Sequence, residues 1–150
     1  MKIGHCKILE KNIIGDKEDP LLIRWILLRT PAFGIFIHKF CRSDHDRALH
    51  DHPWPFVTLL FTGYDEEHDQ TPDGAKRIEH HISGSLLERP ALWRHRVILL
   101  DGKPSWSLVF VGKRVRPWGF HTPTGWCWWR KYNSDTALCE EQVIHHGGKD

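Results

Sequence analysis

The sequence has no apolar segment long enough to span a bilayer, which takes about 20 residues. The longest candidate, Leu21 to Leu28, is interrupted by Arg24. Residues 1–12 contain no long apolar stretch before a small-residue cleavage site, so no secretory signal is recognised. We therefore expect a cytoplasmic protein with no membrane partner.

A strong excess of one charge is also absent. The 21 Lys and Arg residues nearly balance 19 Asp and Glu residues, for a formal net charge of +2. This balance lacks the basic footprint of a nucleic-acid-binding protein, so we expect no nucleic-acid partner. The 4 cysteines include no C-x-x-C pair. In a chain without an export signal they predict free thiols.

No linker, repeat or low-complexity tract divides the 150 residues. We predict a single domain over residues 1–150. Turn residues recur along the chain, and the short segments between them are rich in β-branched and aromatic residues. This pattern predicts an all-β sandwich, jelly roll or barrel. The main predicted strands are Leu21–Arg29, Phe33–Cys41, Ala48–His52, Phe56–Thr62, Lys76–Ile82, Ser85–Glu88, Arg96–Leu100 and Ser105–Val111.

Two further local features carry predictions. Asp101-Gly102 between the last two predicted strands is typical of a β-hairpin turn. Ser134–Ile144 is the one segment that predicts a helix, with Ser134 or Asp135 as its N-cap.

Histidine and tryptophan are unusually frequent, at 12 and 8 residues. His50 and His52 alternate on a predicted strand, so both side chains point to one face. By itself an H-x-H pair is a weak signal, because two polar residues on an edge strand give the same pattern.

The spacing that follows resembles the cupin superfamily. Its first motif is G-x5-H-x-H-x(3–4)-E-x6-G, and its second is G-x5-P-x-G-x2-H-x3-N. His50, His52 and Gly63 stand at the first motif's spacing, and Gly84, Pro90 and His95 stand at the second's. Later segments, including WRHRV and R-x-W-G-F, also resemble small uncharacterised cupin-like proteins. The resemblance implies a double-stranded β-helix, the cupin jelly-roll barrel, here with a short C-terminal helix.

The departures from the motifs bear on the ligand set. Asp44 replaces the first glycine, and Phe56 replaces the usual glutamate ligand; Leu92 and Leu99 replace the second motif's inner glycine and asparagine. The resemblance then implies a metal held by His50, His52 and His95 without a motif carboxylate. Three imidazoles suit a divalent ion, with Fe(II) favoured and Zn, Ni, Mn or Cu as alternatives.

Three other residues are candidates for a place in or beside the metal site. Glu66 is the best candidate for an additional carboxylate ligand, although it lies beyond the strand that ends near Gly63. Asp51 points away from its two neighbouring histidines, so we exclude it as a ligand and expect it to hold an imidazole or Arg47. His38 shares a strand face with Phe36 and Phe40, and a role in the pocket is open.

The candidate catalytic residues are Tyr64, Arg94 and Arg47. A tyrosine hydroxyl can act as a general acid, and an arginine can grip a carboxylate or phosphate. The alternative is that the arginines pair with Asp44, Asp46 or Asp51 at the rim.

Among cupins, a three-histidine site resembles those of thiol dioxygenases and of some ring-cleaving dioxygenases. We therefore expect a mononuclear non-haem Fe(II) dioxygenase acting on a small molecule. A non-oxidative isomerase or epimerase, or a non-catalytic small-ligand-binding protein, remains open, because one barrel hosts many chemistries. Cupins often pair barrels, so a homodimer is expected, through residues 3–14 or the Trp-rich segment 118–129.

Overall fold

The computed structural model describes residues 1–44 and 48–140. Their regular structure is almost entirely β, with two large antiparallel sheets and one short hairpin. A single 3₁₀ turn, Leu100–Gly102, accompanies the strands. The all-β prediction is therefore confirmed.

The first sheet has seven strands and carries the N-terminus at one edge. Their spatial order is β1-β2-β3-β4-β11-β6-β9. In that order the strands are Lys2–Ile3, Cys6–Gly15, Pro20–Arg29, Gly34–Phe40, Ser105–Val111, Phe56–Leu60 and Leu86–Arg89.

The second sheet has six strands in the order β13-β12-β5-β10-β7-β8. In that order they are Gly125–Trp128, Gly119–Thr122, Leu49–His50, His95–Ile98, Tyr64–His68 and Arg77–His81. A separate hairpin joins β14 (Tyr132–Asn133) to β15 (Leu138–Cys139).

Alternation along the strands decides which side chains face the interior. On β4, Phe36 and His38 are buried and line a cavity, as does Phe40, while the intervening Ile37 and Lys39 do not line it. This is the face predicted for His38. On β11 the alternate residues Ser105, Ser107, Val109 and Val111 are buried. Packing therefore fixes the register of the two central strands, since a slip of one residue would expose this face.

The hairpin predicted at Asp101-Gly102 does not form. Both residues have positive φ, 51° and 67°, the conformation that an Asp-Gly pair commonly adopts in tight turns. The strands on either side nevertheless enter different sheets: β10 pairs with β5 and β7, whereas β11 pairs with β4 and β6. The turn thus links the two sheets, because each flanking strand finds its partners elsewhere.

The predicted C-terminal helix is also wrong over residues 134–139. There the chain forms a turn and then β15. The Asn133 side chain accepts hydrogen bonds from the backbone N–H groups of Asp135 and Thr136, which closes a turn that competes with a helix. The rest of the predicted helix, from residue 141, lies outside the described residues.

The prediction of four free cysteines is wrong as well. Cys127 on β13 and Cys139 on β15 form a disulfide, with their Cα atoms 5.6 Å apart. Cys6 and Cys41 are free. The two cysteines are 12 residues apart in the sequence, which by itself does not indicate a disulfide. They meet because β15 brings the chain back beside β13.

No helix among the described residues is long and apolar enough to cross a membrane.

Candidate metal centre

Three histidines converge where β5 and β10 pair in the second sheet. His50 and His95 are direct partners across the two antiparallel strands. His52 follows β5 and is tied to the neighbouring loop by a hydrogen bond from its N–H to the carbonyl of Ala91, at 3.0 Å. One ligand atom from each of the three imidazoles lies within 4.8 Å of the others. The structure therefore brings together the three residues that the motif spacing singled out.

The distance between two of these rings suits a shared ion. Nε2 of His52 and Nε2 of His95 are 2.9 Å apart. Two nitrogens bound at about 2.1 Å on adjacent octahedral positions lie about 3 Å from each other. The same spacing suits a hydrogen bond between the rings in the metal-free protein.

Buried carboxylates face the other nitrogens of two of the rings. Nδ1 of His50 is 3.2 Å from Oδ2 of Asp44. Nδ1 of His95 donates to Oε1 of Glu66, whose side chain is fully buried. Such partners fix the tautomer with the proton on Nδ1, which leaves Nε2 unprotonated and able to bind a metal. Asp44, considered in the sequence as a replaced motif glycine and as a partner of the arginines, thus lies beside His50 at the site.

The surroundings favour the neutral form of His52 and His95. Burial lowers the pKa of His52 well below its usual value, and the neighbouring His95 and His50 lower it further. Burial also lowers the pKa of His95, although its hydrogen bond to Glu66 acts in the opposite direction. Neutral rings are the form that binds a metal.

Phe56 occupies the place of the missing glutamate. Its ring packs edge-on against His52, with centroids 4.5 Å apart. Within the part of the chain that the structure describes, the group of convergent ligand atoms contains three imidazoles and no carboxylate. Where the family motif has a glutamate ligand, this chain therefore places the apolar ring of Phe56 beside the site.

Glu66 is not a member of that group. Burial raises the pKa of its carboxyl, but hydrogen bonds from His95 and Arg89 outweigh this effect and hold the pKa far below its usual range. Its oxygens also accept from Trp93 Nε1 at 2.9 Å and contact His81 Nε2 at 2.9 Å. Glu66 supports His95 from behind rather than facing the point where the three histidines meet.

Glu66 also belongs to a second group of metal-type ligands with Glu79 and His81. Arg89 lies 2.6 Å from Glu66 and 3.9 Å from Glu79. The guanidinium already supplies the positive charge that a cation would bring. This group is therefore an ion-pair network that holds Glu66 in place.

A cavity of about 370 Å³ opens beside the three histidines, within the size range of small-molecule sites. It lies between the sheets and is mostly apolar. Among its lining residues are Phe36, Trp54, Phe56, Val109, Trp118 and Phe120. Such a space excludes water from most of a bound molecule, and the three histidines form a polar group within its mostly apolar lining.

The three candidate catalytic residues fall in different places. Tyr64 is buried and lines the cavity, and burial raises the pKa of its hydroxyl, which keeps it protonated. Arg94 does not line the cavity; its Nε donates to Asp69 at 2.9 Å. This is the rim pairing considered for it, although with a different aspartate. Arg47 lies outside the described residues.

Asp51 behaves as predicted: it is fully buried and holds an imidazole. Its carboxylate contacts His121 Nε2 at 2.9 Å and accepts from Trp126 Nε1 at 3.0 Å and from the N–H of Gly119 at 2.9 Å. Arg116 is a guanidinium partner of Asp51, at 2.7 Å, whereas Arg47 lies outside the described residues. Asp51 thereby fastens β12 and β13 to the end of β5, beside His50.

Sequence reasoning did not single out Arg24. It lines the cavity from β3, and its Nε donates to Nε2 of His38 at 2.9 Å. In the sequence Arg24 was visible only as a charge interrupting an apolar run, which is the signal that could have identified it. His38, left open in the sequence, lines the same cavity.

Comparisons with known proteins place the fold. No protein-family model and no curated protein matches the sequence. Among solved structures, a cupin-2 domain protein of Rhodospirillum rubrum aligns with a TM-score of 0.59, at 9% identity over 77% of each chain.

Two further structures are similar at lower TM-scores. HppE, solved in its Fe(II) form with an alternative substrate, aligns at 0.52 and 14% identity, over 69% of this chain and 56% of HppE. A protein of Ralstonia eutropha described as a candidate mannose-6-phosphate isomerase aligns at 0.51 and 22% identity, over 61% of this chain and 84% of that one. The chain has the cupin fold, a double-stranded β-helix, as its motifs predicted.

Proposed function

We propose that this cupin-fold chain binds one divalent metal ion through His50, His52 and His95. The observation that carries the proposal is the convergence of the three imidazoles, two of them backed by buried carboxylates. Carboxylate-backed histidines are the usual arrangement at protein metal sites. Histidines buried for packing alone would not need their free nitrogens to point at one another.

We further propose that the ion is Fe(II) and that the protein is a dioxygenase for a small molecule. Three imidazole ligands leave coordination positions open, where Fe(II) would supply redox chemistry with O₂ and substrate. HppE, a structural neighbour of this chain, was solved with Fe(II). The apolar cavity supports the proposal because it would shield reactive species from water.

The chain's own residues would orient the substrate. Tyr64 lines the cavity, and its hydroxyl stays protonated, so it would donate a hydrogen bond to an oxygen atom of the substrate. Phe56 and Trp118 would flank the reacting end, since both line the cavity and both pack on site histidines. Arg94 would act at most at the rim, because it faces Asp69.

The test combines metal analysis with oxygen uptake. The protein would be purified without an affinity tag, and its metal content measured by mass spectrometry. Oxygen consumption would then be followed with panels of thiols and carboxylates, for the native protein and for His52→Ala. Bound iron with substrate-dependent uptake that His52→Ala abolishes is the expected result. Bound zinc without uptake would overturn the dioxygenase assignment while leaving the metal site intact.

A second candidate is a non-oxidative isomerase or epimerase, in which the metal acts as a Lewis acid. Tyr64 would assist it by donating a hydrogen bond to a substrate oxygen, because its raised pKa keeps the hydroxyl protonated. The neighbour from Ralstonia eutropha described as a candidate mannose-6-phosphate isomerase points the same way. A non-catalytic ligand-binding role would instead be indicated by a co-purified organic molecule and no metal.

We also propose a homodimer. Both segments predicted to form the contact lie at sheet edges, where unpaired backbone groups need covering. β1 and β2 end the first sheet, and β13 ends the second. Leu9 on β2 and Trp126 on β13 are exposed at these edges.

A further inference from the structure

Arg24 begins a polar row across the inner face of the first sheet. It is the direct cross-strand partner of His38, and His38 is the direct partner of Ser107 on the next strand. All three line the cavity. The three histidines of the candidate metal centre belong to the other sheet or its loops. A molecule in the cavity would therefore meet Arg24 on one wall and the histidines on the other.

The charge of Arg24 has no acidic counterpart in the part of the chain that the structure describes. Among the described residues its polar contact is with the neutral ring of His38, and it forms no ion pair with a described carboxylate. Asp44, which also lines the cavity, faces His50. Buried charges are ordinarily paired, so this guanidinium has the character of a ligand-binding group.

Neighbouring positive charges also favour the binding of an anion at Arg24. Burial and the nearby Arg29 lower the pKa of Arg24 to about 10, which leaves it charged at neutral pH. Arg114 lines the cavity and in turn acts on Arg29. Two positive charges in the cavity lining, with Arg29 nearby, create a positive potential that an anion would relieve.

The surroundings of Arg24 restrict the rest of the ligand. The guanidinium lies 5.2 Å from the centre of the Phe36 ring, and Phe40 and Trp54 continue this apolar lining. Inorganic anions would leave these rings uncovered, whereas an organic anion could place an apolar body against them. The volume of the cavity accommodates a molecule of this kind.

We propose that the cavity binds a small organic carboxylate with an apolar body, and that Arg24 holds its anionic group. The substrate class rests on the proposed function, since it names the molecule that the metal centre would act on. Arg24 offers paired donors to a carboxylate, which fixes the orientation of the molecule as well as its charge. The apolar body would then extend toward the histidines on the opposite wall.

The experiment uses matched pairs of probes that differ in charge. Benzoate, phenylacetate, 3-phenylpropanoate and 4-phenylbutanoate would each be compared with the corresponding amide. Binding would be measured by calorimetry on the metal-free and the zinc-loaded protein. The variants are Arg24→Gln, Arg24→Lys and a control, Arg42→Gln, whose arginine pairs with Asp19 away from the cavity. Melting temperatures would establish that each variant is folded.

We expect at least one acid to bind the native protein and Arg42→Gln about tenfold or more tightly than its amide, the size of a charge-assisted hydrogen bond. In Arg24→Gln the preference should disappear while amide binding is unchanged, and Arg24→Lys should keep part of it. A preference that survives in Arg24→Gln overturns the proposal. So does a series in which no acid binds more tightly than its amide.

The metal-free and zinc-loaded arms separate this proposal from the proposed function. If the protein takes up no metal but shows an acid preference that depends on Arg24, the metal centre fails and the anion site stands. If metal binds and acids bind only to the zinc-loaded protein, independently of Arg24, the metal itself is the anion's partner. The anion site then fails and the metal centre stands.

Discussion

Glu66 and His95 form a buried carboxylate–imidazole pair across two neighbouring strands of the second sheet. Glu66 lies on β7 and pairs in register with Val97 of β10, so its side chain reaches His95 two residues away on the same face. The carboxylate is held by Arg89 and Trp93 in turn. The orientation of a candidate metal ligand is therefore set by residues that never face the metal.

Replacement of Glu66 by Gln should weaken metal binding by about tenfold to a hundredfold, because the carboxylate no longer fixes the ring and tautomer of His95. Asp44→Asn should have a similar effect through His50. Competition with a fluorescent zinc chelator would measure both affinities. Exposed Glu88 gives the control Glu88→Gln, which should match the native protein. Native affinity in both Glu66→Gln and Asp44→Asn would contradict this account of the carboxylates.

The disulfide between Cys127 and Cys139 predicts two reactive thiols, Cys6 and Cys41, in denatured protein without reductant. Reductant should raise the number to four. Cys139→Ser should lower the free energy of unfolding by about 2–3 kcal/mol, since the bond closes a short loop. Cys41→Ser is the control and should change stability less. Four thiols titrating before reduction would show that the bond does not form.

His38 should make the metal-free protein less stable in acid. Burial, aided by Arg24, lowers its pKa well below the usual 6.5 in the folded state. As pH falls below about 6.5, the unfolded chain takes up a proton at this position and the folded protein does not. The contribution of neutral His38 to the free energy of unfolding is therefore complete above pH 6.5. Below that pH it declines by up to about 1.4 kcal/mol per pH unit.

Urea unfolding of metal-free protein at pH 7.5, 6.0 and 5.0 would measure this slope. His38→Gln should show a shallower decline than the native protein, with exposed His80→Gln as the control. Equal slopes for His38→Gln and the native protein would mean that His38 is not held neutral.

The homodimer predicts a sedimentation coefficient for two chains at micromolar concentration. Leu9→Lys at the edge of the first sheet and Trp126→Lys at the edge of the second should distinguish the two candidate contacts, since a buried charge disrupts an interface. Leu9→Lys should leave metal binding intact, whereas Trp126→Lys also removes the Nε1 donor to Asp51 beside His50 and is judged by its oligomeric state alone. A monomer at these concentrations for the native chain would refute the dimer.

Much of the fold was predictable where strand residues alternate or are uniformly apolar. The predicted strand Leu21–Arg29 became Pro20–Arg29, and Ser105–Val111 was predicted at its observed bounds. β7 (Tyr64–His68) escaped prediction because four of its five residues are polar or charged, yet three of the five are buried. Such a strand is stable only because side chains of neighbouring strands form ion pairs and hydrogen bonds with its buried polar residues.

The site was predictable to the extent that it is local in sequence. His50 and His52 alternate on one predicted strand, of which β5 keeps Leu49–His50, and the family spacing added His95. The contacts of Glu66 with His95 and of Asp44 with His50, and the facing wall that carries Arg24, depend on which strands become neighbours. Neither periodicity nor motif spacing reports that pairing, so these contacts emerged only from the structure.

The most direct test of the metal centre is the metal content of three proteins at equal concentration: native, His95→Ala and His121→Ala. His121 contacts Asp51 rather than the convergent histidines, so it is a matched control on the neighbouring strand. After loading with one equivalent of zinc or Fe(II) and desalting, the native protein and His121→Ala should retain about one ion per chain. His95→Ala should retain almost none. Stoichiometric metal in folded His95→Ala would contradict the assignment of this site.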